Sequence, residues 1–484
     1  MNKIFSAVLC MLCFSSFAQE KYLEISLDGV KTTSGFMNNV HLIKNDESGV
    51  LSLFMEEPKT TYGFQYDEDL KQIAQLTSKG VKRKYKEIIG QASAGGKVRL
   101  IQKNTRGNKF ASILYDFDNE KTEEMEYDLD MSDQKYLQSY NRDGICYVFS
   151  IFKNTSILNK WTFTLDGKVT SEEMTLEDEM KRNKLRTFNL YKLIEEGGGM
   201  DSFINVSKVE NKLPNTLDVA TEQNKMFAHE NGFYWTLDEN HQYTAILDFQ
   251  LPDLLPKVTI VRKAVIGDAN SVKTNSFISG NILAQIVSNR KNMNLVFKDL
   301  ETQEVFNEYS LSKDEEITFK NGPILQEGSV YNFGSTRKLE KASKFLRKIA
   351  SDKNGIALFK SNNGYRAIIG GVRSQGGGGG FGMMGAMGGI AIASAGGVVM
   401  SFNPASLAYG SYGSTGSTRI ESLFDIEFQH IEGELPFNVF DEIEILSEDW
   451  LKRADDVYLV EDFVLFGNYE TNKKLYTLYK FENK

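Results

Sequence analysis

Cysteine, proline and histidine are all scarce in this sequence. Its 484 residues include three cysteines, seven prolines and four histidines. Cys10 and Cys13 lie in an apolar N-terminal stretch, so if that stretch is removed Cys146 alone remains and no intramolecular disulfide can form. Few prolines and 12% aromatic residues favour a strand-rich globular chain over a disordered one.

The N-terminus has the pattern of a secretory signal peptide. Lys3 supplies the positive charge, residues 4–14 are mostly apolar, and Ala18 ends a small-residue cleavage site. Leucine precedes both cysteines where a lipoprotein signal needs a small residue, so lipidation is not expected. The sequence predicts a signal peptide over 1–18, cleavage between Ala18 and Gln19, and a periplasmic or secreted protein over 19–484.

The charge balance is acidic. The net charge is −9, and loss of Lys3 with the signal peptide makes it −10. Nucleic-acid-binding proteins carry a basic footprint, so nucleic acid is not a predicted partner.

The stretch from Tyr136 to Leu176 predicts four consecutive antiparallel strands. An apolar strand, ICYVFSIF, begins at Ile145, and WTFTL then alternates apolar and polar residues from Trp161. Turns at 141–144, 153–156 and 166–167 separate the strands. This is the clearest structural unit in the sequence.

Looser copies of its central hairpin recur along the chain. The first strands of seven such hairpins begin at residues 50, 109, 145, 233, 282, 356 and 463. Seven copies predict an all-β, antiparallel β-propeller-like repeat fold of about seven blades in one domain over 19–484. The irregular spacing leaves two β-sandwich-like domains as the alternative. In a propeller the last blade runs out of chain, so YLEISL at 22–27 is expected to complete it.

A glycine-rich insertion interrupts the sixth copy. Residues 374–418 carry no charge and include five consecutive glycines at 376–380. A surface loop, a transmembrane helix over 381–402 and an interaction segment are the three interpretations. The loop is favoured over a firm membrane span, and deletion of 376–400 is expected to change the melting temperature by only a few degrees. In the third interpretation the contact residues are Phe381, Met383, Met384, Met387 and Ile390.

Two basic stretches have alternative interpretations. The lysines between 70 and 90 indicate a solvated loop or edge strand rather than an anion-binding patch. RKLEKASKFLRKIA, at 337–350, has apolar residues at helical spacing and is expected to pack on the domain rather than on a membrane.

No constellation of catalytic residues can be read from the sequence. His229 and His241 flank the fourth hairpin without a third metal ligand, so structural or exposed roles are predicted. Asp116, Asp118 and Glu120 alternate as in a calcium loop but lack its glycine and its twelfth ligand, and they indicate a turn instead. Phe233, Tyr234 and Trp235 are expected in a strand core rather than in a sugar site. No cofactor and no metal are predicted.

The Asp166-Gly167-Lys168 turn, the repeated hairpins and the ending YTLYKFENK resemble large exported β-repeat proteins of Gram-negative bacteria. The resemblance covers most of the mature chain and implies export, but it assigns no functional residue. The sequence therefore predicts a non-enzymatic protein that binds another protein or an envelope glycan, through the insertion. The alternative is a glycan-acting envelope hydrolase with carboxylates in a central funnel.

Overall fold

The computed structural model shows a chain that is nearly all β-structure. The residues that it describes are 20–28, 39–45, 48–57, 60–183, 189–196, 203–267, 271–329, 332–361, 364–373, 403–412, 416–448, 450 and 456–483. In these ranges the strands form seven sheets of four or five strands and one two-stranded sheet. All neighbouring strands are antiparallel except for one short parallel pair.

The first three sheets are four-stranded meanders in chain order. Sheet 1 consists of β2 (Asn39–Lys44), β3 (Leu51–Glu57), β4 (Thr60–Tyr66) and β5 (Gln72–Ser78). Sheet 2 consists of β6 (Tyr85–Ala94), β7 (Lys97–Asn104), β8 (Phe110–Asp116) and β9 (Lys121–Tyr127). Sheet 3 consists of β10 (Gln134–Arg142), β11 (Ile145–Phe152), β12 (Ile157–Phe163) and β13 (Val169–Thr175). Sheet 3 confirms the four strands predicted between Tyr136 and Leu176.

Sheets 4 and 5 continue this arrangement. Sheet 4 consists of β16 (Ser207–Val209), β17 (Asn224–His229), β18 (Gly232–Leu237), β19 (Tyr243–Gln250) and β20 (Leu255–Arg262). The two-stranded sheet of β14 (Glu195–Glu196) and β15 (Phe203–Ile204) precedes it. Sheet 5 consists of β21 (Lys273–Ser279), β22 (Ile282–Ser288), β23 (Asn292–Asp299) and β24 (Val305–Ser312).

Sheets 6 and 7 have non-sequential strand orders. Sheet 6 has the order β26-β25-β29-β28-β27 and consists of β25 (Ile324–Ser329), β26 (Asn332–Leu339), β27 (Lys353–Ser361), β28 (Gly364–Val372) and β29 (Ser417–Phe424). Sheet 7 has the order β1-β32-β31-β30 and consists of β30 (Asp456–Val460), β31 (Phe463–Glu470), β32 (Leu475–Glu482) and the N-terminal β1 (Glu20–Ser26). Lys21 pairs with Tyr479 and Ser26 with Leu475, which confirms that YLEISL completes the last sheet.

Six helices lie between these strands. They are α1 (Glu177–Arg182), α2 (Leu190–Ile194), α3 (Leu217–Ala220), α4 (Ala342–Ser351), α5 (Pro404–Tyr412) and α6 (Val439–Ser447) in the described part of the chain. Helix α4 buries Phe345, Leu346 and Ile349 completely, so the basic stretch packs on the domain as expected. No helix of the described residues is both long and apolar enough to cross a membrane.

The outermost strands are polar and the others are buried. Strands β5, β9 and β13 are exposed at most positions and β24 at half of its positions, whereas the strands beside them are largely buried. Lysine and glutamate on an edge strand discourage pairing with another chain. In the basic stretch between 70 and 90, Lys82 and Lys84 lie in the turn before β6 and both pair with Glu126 on β9.

Hydrophobic cores fill the space between successive sheets. Ile43 and Phe54 of sheet 1 pack with the apolar residues of sheet 2, and separate clusters join sheet 2 to 3, sheet 3 to 4 and sheet 4 to 5 and 6. Another cluster packs Ile25 and Leu465 of sheet 7 against Leu53 of sheet 1. The last sheet therefore packs against the first.

The seven predicted hairpins fall in seven different sheets. The all-β antiparallel prediction is confirmed. The sequence missed the β6–β7 hairpin, where register shifts at Tyr85/Glu87 and Ile88/Gly90 disturb the alternation of polar and apolar residues.

Candidate functional site

A cavity of about 450 Å³ lies where several sheets meet the start of α5. Strands β2, β6, β10, β16 and β30 line it. The first four are the first strands of sheets 1 to 4, and β30 is the end strand of sheet 7 opposite to β1. Strand β17 and residues 403–405 complete the wall. The cavity therefore exists only because five sheets converge.

The lining mixes apolar and ionisable side chains. Leu42, Met226, Pro404 and Leu459 are among the apolar residues. The ionisable groups are His41, Lys44, Tyr140, Lys208, Glu210, Tyr458 and Glu461. Small-molecule sites are usually concave and mostly apolar with a few polar groups. This cavity is open to solvent on one side and has more ionisable groups than such sites usually have.

Lys208 is a half-buried amine on β16. Its Nζ donates to Ser139 Oγ at 3.2 Å, and Ser139 Oγ in turn donates to the Ile89 carbonyl at 2.5 Å. Among the described residues no carboxylate lies within ion-pair distance of Lys208 Nζ. Burial therefore lowers the pKa of Lys208 to about 8, because water no longer stabilises the ammonium and no anion replaces it.

Glu210 also lines the cavity, one residue beyond the end of β16. Among the described residues its carboxylate is not within ion-pair distance of Lys208 Nζ. Burial raises the pKa of the Glu210 carboxyl, although the backbone amide of Lys212, which donates to Glu210 Oε1 at 3.2 Å, partly opposes this. The cavity thus has an amine and a carboxyl that both favour their neutral forms more than in water.

Gln91 supplies an acceptor with no partner. Asn141 Oδ1 accepts from the Gln91 backbone amide at 3.0 Å, and a Cβ at position 90 would lie 2.2 Å from that oxygen, so glycine is needed at Gly90. Gln91 Oε1 is buried and has no hydrogen-bond partner among the described residues. An unpaired buried acceptor is costly unless a ligand or water donates to it.

Asp456 connects α5 to the strands of the cavity wall by hydrogen bonds. Its Oδ2 accepts from the Val40 amide at 3.0 Å and its Oδ1 from Ser406 Oγ at 3.1 Å, which joins β30 to β2 and to α5. Burial raises the pKa of Asp456, and the positive charge available on His41 opposes this shift. Tyr458 Oη donates to the Val40 carbonyl at 2.7 Å. At the rim, Lys44 pairs with Glu461.

The four histidines are separate in the structure. His41 Nε2 lies 3.5 Å from Glu56, His229 Nε2 lies 3.3 Å from Asp248, and His430 Nε2 lies 3.0 Å from Asn321 Oδ1. Burial lowers the pKa of His241, and Lys263 and Lys273 lower it further. Within the described ranges, no group of three or more His, Cys, Asp or Glu side chains is placed to hold a metal ion.

The other residues considered from the sequence lie in turns and cores. Phe233 and Trp235 are fully buried among aromatic rings, as expected for a strand core. Asp116 Oδ1 accepts from the Asn119 amide at 3.1 Å, as expected for a turn, and Asp116 also pairs with Lys97. Cys146 is buried, and burial raises its pKa to about 12.

The described end of the predicted insertion is not a surface loop. The insertion joins β28 to β29, which are neighbours in sheet 6, but its end forms α5, and Ala405, Ala408 and Tyr409 are buried there. The predicted contact residues lie outside the described residues. They are Phe381, Met383, Met384, Met387 and Ile390.

Sequence reasoning missed Lys208, Glu210 and Gln91. The pattern Lys-Val-Glu at 208–210 is too short and too common to distinguish a site from a solvated strand. Only the meeting of β16 with β6 and β10 shows that these side chains share a cavity.

No family model matches the chain, and no curated protein matches it in sequence. Solved structures that align with it include a mutant of Synechocystis apocarotenoid oxygenase, at 10% identity and a TM-score of 0.30, over 65% of this chain and 67% of that one. A chimera of that oxygenase with RPE65 aligns at 9% identity and a TM-score of 0.29, over 58% of this chain and 63% of the chimera. The cobalt-substituted Synechocystis enzyme has 9% identity and a TM-score of 0.29, over 60% and 65%. The chain thus spans less than two thirds of the chimera and of the cobalt-substituted enzyme.

The prediction of a non-enzymatic binding protein is wrong by this comparison, since the aligned structures are oxygenases. The physical reason for the error is that the sequence directed attention to the uncharged insertion, whereas ionisable groups from distant segments gather in a cavity. TM-scores near 0.3 are too low to transfer a reaction, a cofactor or a site to this chain.

Proposed function

We propose that the seven sheets are the blades of a β-propeller and that its central cavity binds a small organic anion. The cyclic order of the cores, the completion of sheet 7 by β1 and the polar outermost strands support the propeller. The innermost strands of a propeller face a central channel, and the cavity is lined by such strands.

The anion assignment rests on one observation, the environment of Lys208. Its ammonium is half-buried, faces the cavity and has no carboxylate partner among the described residues. An ion pair with a bound carboxylate restores the stabilisation that burial removes from the ammonium. Lys44 does not compete for the ligand, because Glu461 neutralises it at the rim.

The other side chains that line the cavity indicate what the ligand contains besides its carboxylate. Apolar side chains such as Leu42 and Met226 suit a short hydrocarbon portion of the ligand. A cavity of about 450 Å³ accepts a molecule of small-metabolite size rather than a polymer. With the predicted signal peptide, we place this activity in the periplasm or outside the cell.

Binding of butyrate and lactate to residues 19–484 tests the proposal. Isothermal titration at pH 7 should give saturable binding of both ligands, because each presents a carboxylate to Lys208. Lys208→Met should weaken both ligands about 10- to 100-fold, which corresponds to roughly 1.5–3 kcal/mol for a charged hydrogen bond.

Lys257→Met is the matched control, because Lys257 is exposed on β20 of the same sheet. It should leave both affinities within about twofold. Absence of saturable binding by the wild-type protein, or equal loss in the two variants, would refute the proposal.

A further inference from the structure

We infer that Ser139 is a positioning residue of the proposed anion site, because it accepts one N–H of the Lys208 ammonium and directs the other two toward the ligand. The inference deepens the proposed function and rests on it. It adds that the site recognises the negative charge of a carboxylate, so that a neutral molecule of the same shape is discriminated against.

Ser139 contacts Lys208 from within the protein. Its side chain is 1% exposed, and it does not belong to the cavity lining formed by the described residues, whereas Lys208 does. Ser139 lies on β10 and Lys208 on β16. The Gln138 side chain donates to the Val206 carbonyl at 2.7 Å and so joins β10 to the residue just before β16. The hydroxyl of Ser139 is therefore held on the side of Lys208 that faces away from the cavity.

The direction of the hydrogen bonds of Ser139 is fixed by their partners. A backbone carbonyl is only an acceptor, so Ser139 Oγ must donate its single proton to the Ile89 carbonyl, which lies at 2.5 Å. The lone pairs of the same oxygen remain, and Lys208 Nζ lies 3.2 Å from it. Ser139 can accept from an ammonium, but it has no proton for the lone pair of a neutral amine. A hydrogen bond accepted from the ammonium favours this charged form, whereas burial disfavours it.

Two N–H bonds of Lys208 are left for a ligand. An ammonium has three donors, and within the described part of the chain Lys208 uses one of them, on Ser139. The three bonds are arranged tetrahedrally, so the bond into the protein leaves the other two on the side of the cavity. Two adjacent donors match the two oxygens of a carboxylate, whereas a carboxamide offers one oxygen and no charge. Butyrate should therefore bind more tightly than butyramide, which has the same carbon chain.

Burial and Ser139 set the charge of Lys208, because no charged side chain of the described residues does so. Cys146 is the ionisable group that acts on Lys208 through space, and burial raises the pKa of Cys146 to about 12, so its thiol is neutral. The affinity for butyrate should fall above about pH 8, where Lys208 loses its ammonium form. Of the described residues, the other ionisable side chains of the lining lie beyond ion-pair and hydrogen-bond distance of Lys208 Nζ, and they are His41, Lys44, Tyr140, Glu210, Tyr458 and Glu461.

Titration calorimetry of residues 19–484 with butyrate and butyramide tests the inference. At pH 7 the wild-type protein should bind butyrate at least about tenfold more tightly than butyramide. Ser139→Ala should weaken butyrate binding about tenfold. In this variant the fall of butyrate affinity with rising pH should begin at least about 0.5 pH unit lower, because the ammonium has lost its acceptor. Ser139→Thr keeps the hydroxyl, so it should restore the pH profile and bring the affinity to within about threefold of the wild type.

Ser150→Ala is the matched control. Ser150 is a fully buried serine on the neighbouring strand β11, and its hydroxyl donates to Gln134 Oε1 at 2.6 Å instead of contacting Lys208. The variant loses a buried hydroxyl of the same sheet, but it should leave butyrate affinity within about twofold and the pH profile unchanged.

The outcomes separate the positioning role from the proposed function. Unchanged butyrate affinity and an unshifted pH profile in Ser139→Ala, with Lys208→Met still impaired, would overturn the positioning role and leave the anion site standing. A loss of affinity that Ser139→Thr does not restore, or that Ser150→Ala shares, would also overturn it, because the effect would then be structural. Failure of the wild-type protein to bind butyrate, or equal binding of butyramide, would instead remove the proposed function itself.

Discussion

The buried Asp238 and the half-buried Asp218 show that neighbouring side chains decide how burial changes the pKa of a carboxyl group. Burial alone raises the pKa of Asp238, but Lys263 at 3.0 Å and Lys225 at 3.5 Å outweigh it, and the net pKa is lowered. Hydroxyls of Ser276 and Thr244 donate to the same carboxylate. Asp218 has the opposite balance: its buried Oδ2 has no partner among the described residues.

Replacing Asp238 with asparagine should be strongly destabilising. Lys225 and Lys263 would then be fully buried charges without a counter-ion, so we expect a loss of about 3–5 kcal/mol in the free energy of unfolding. Urea denaturation at pH 7 measures it. Asp69→Asn, which removes an exposed pair with Lys71, is the control and should cost under about 0.5 kcal/mol. Similar losses in both variants would contradict the analysis of the buried cluster.

Asp218→Asn should show a pH-dependent stabilisation. Burial, together with the negative charge of Glu222, raises the pKa of Asp218 to about 7 in the folded protein. The unfolded chain loses this proton near pH 4, so the free energy of unfolding of the wild-type protein falls between about pH 4 and pH 7. Above pH 7 it stays at the lower value. We expect the variant to gain about 1–3 kcal/mol over the wild type between pH 4 and pH 8. A stability difference that does not change with pH would be inconsistent with a buried, proton-binding Asp218.

At the scale of elements, helix α5 shows that the end of the uncharged insertion is a packed helix. Its Asn403 Oδ1 accepts from the Ala405 amide at 3.0 Å, and Pro404 starts the helix, where the missing proline N–H is no loss. Tyr409 then packs against Phe440 of α6 and Phe466 of β31. The end of the insertion is therefore part of the core.

Tyr409→Ala should destabilise the protein. Removing a buried aromatic ring leaves a cavity between α5, α6 and sheet 7, so we expect a loss of about 3–5 kcal/mol. Phe437→Ala is the matched control, because Phe437 is 73% exposed and should change stability by under about 1 kcal/mol. A tolerant Tyr409→Ala variant would show that α5 is dispensable for the fold.

At the scale of the whole molecule, β1 joins the two ends of the chain in one sheet. Ile25 is 1% exposed in the core shared by sheets 7 and 1, while its neighbour Glu24 points outward. Without β1, strand β32 would be an open edge and the core beneath it would be exposed.

Ile25→Asp should therefore lower the melting temperature by several degrees, because it buries a charge with no partner in the place of an isoleucine. Glu24→Gln, on the opposite face of the same strand, should leave the melting temperature nearly unchanged. Thermal unfolding followed by circular dichroism compares the two. A melting temperature of Ile25→Asp equal to that of the wild type would argue against a structural role for β1.

The sequence by itself determined the local units of this protein. The alternation around Trp161 and the turn at Asp166-Gly167 need only neighbouring residues, so the hairpins and the four strands of sheet 3 could be predicted. The return of YLEISL to the last sheet could be predicted because the last repeat lacks a strand of its own. Tertiary structure alone decided the cavity. Lys208 and Gln91 come from distant segments of the chain, and their surroundings form only after the sheets have packed. For the same reason the sequence pointed to the insertion for function, whereas the converging strands hold the ionisable groups.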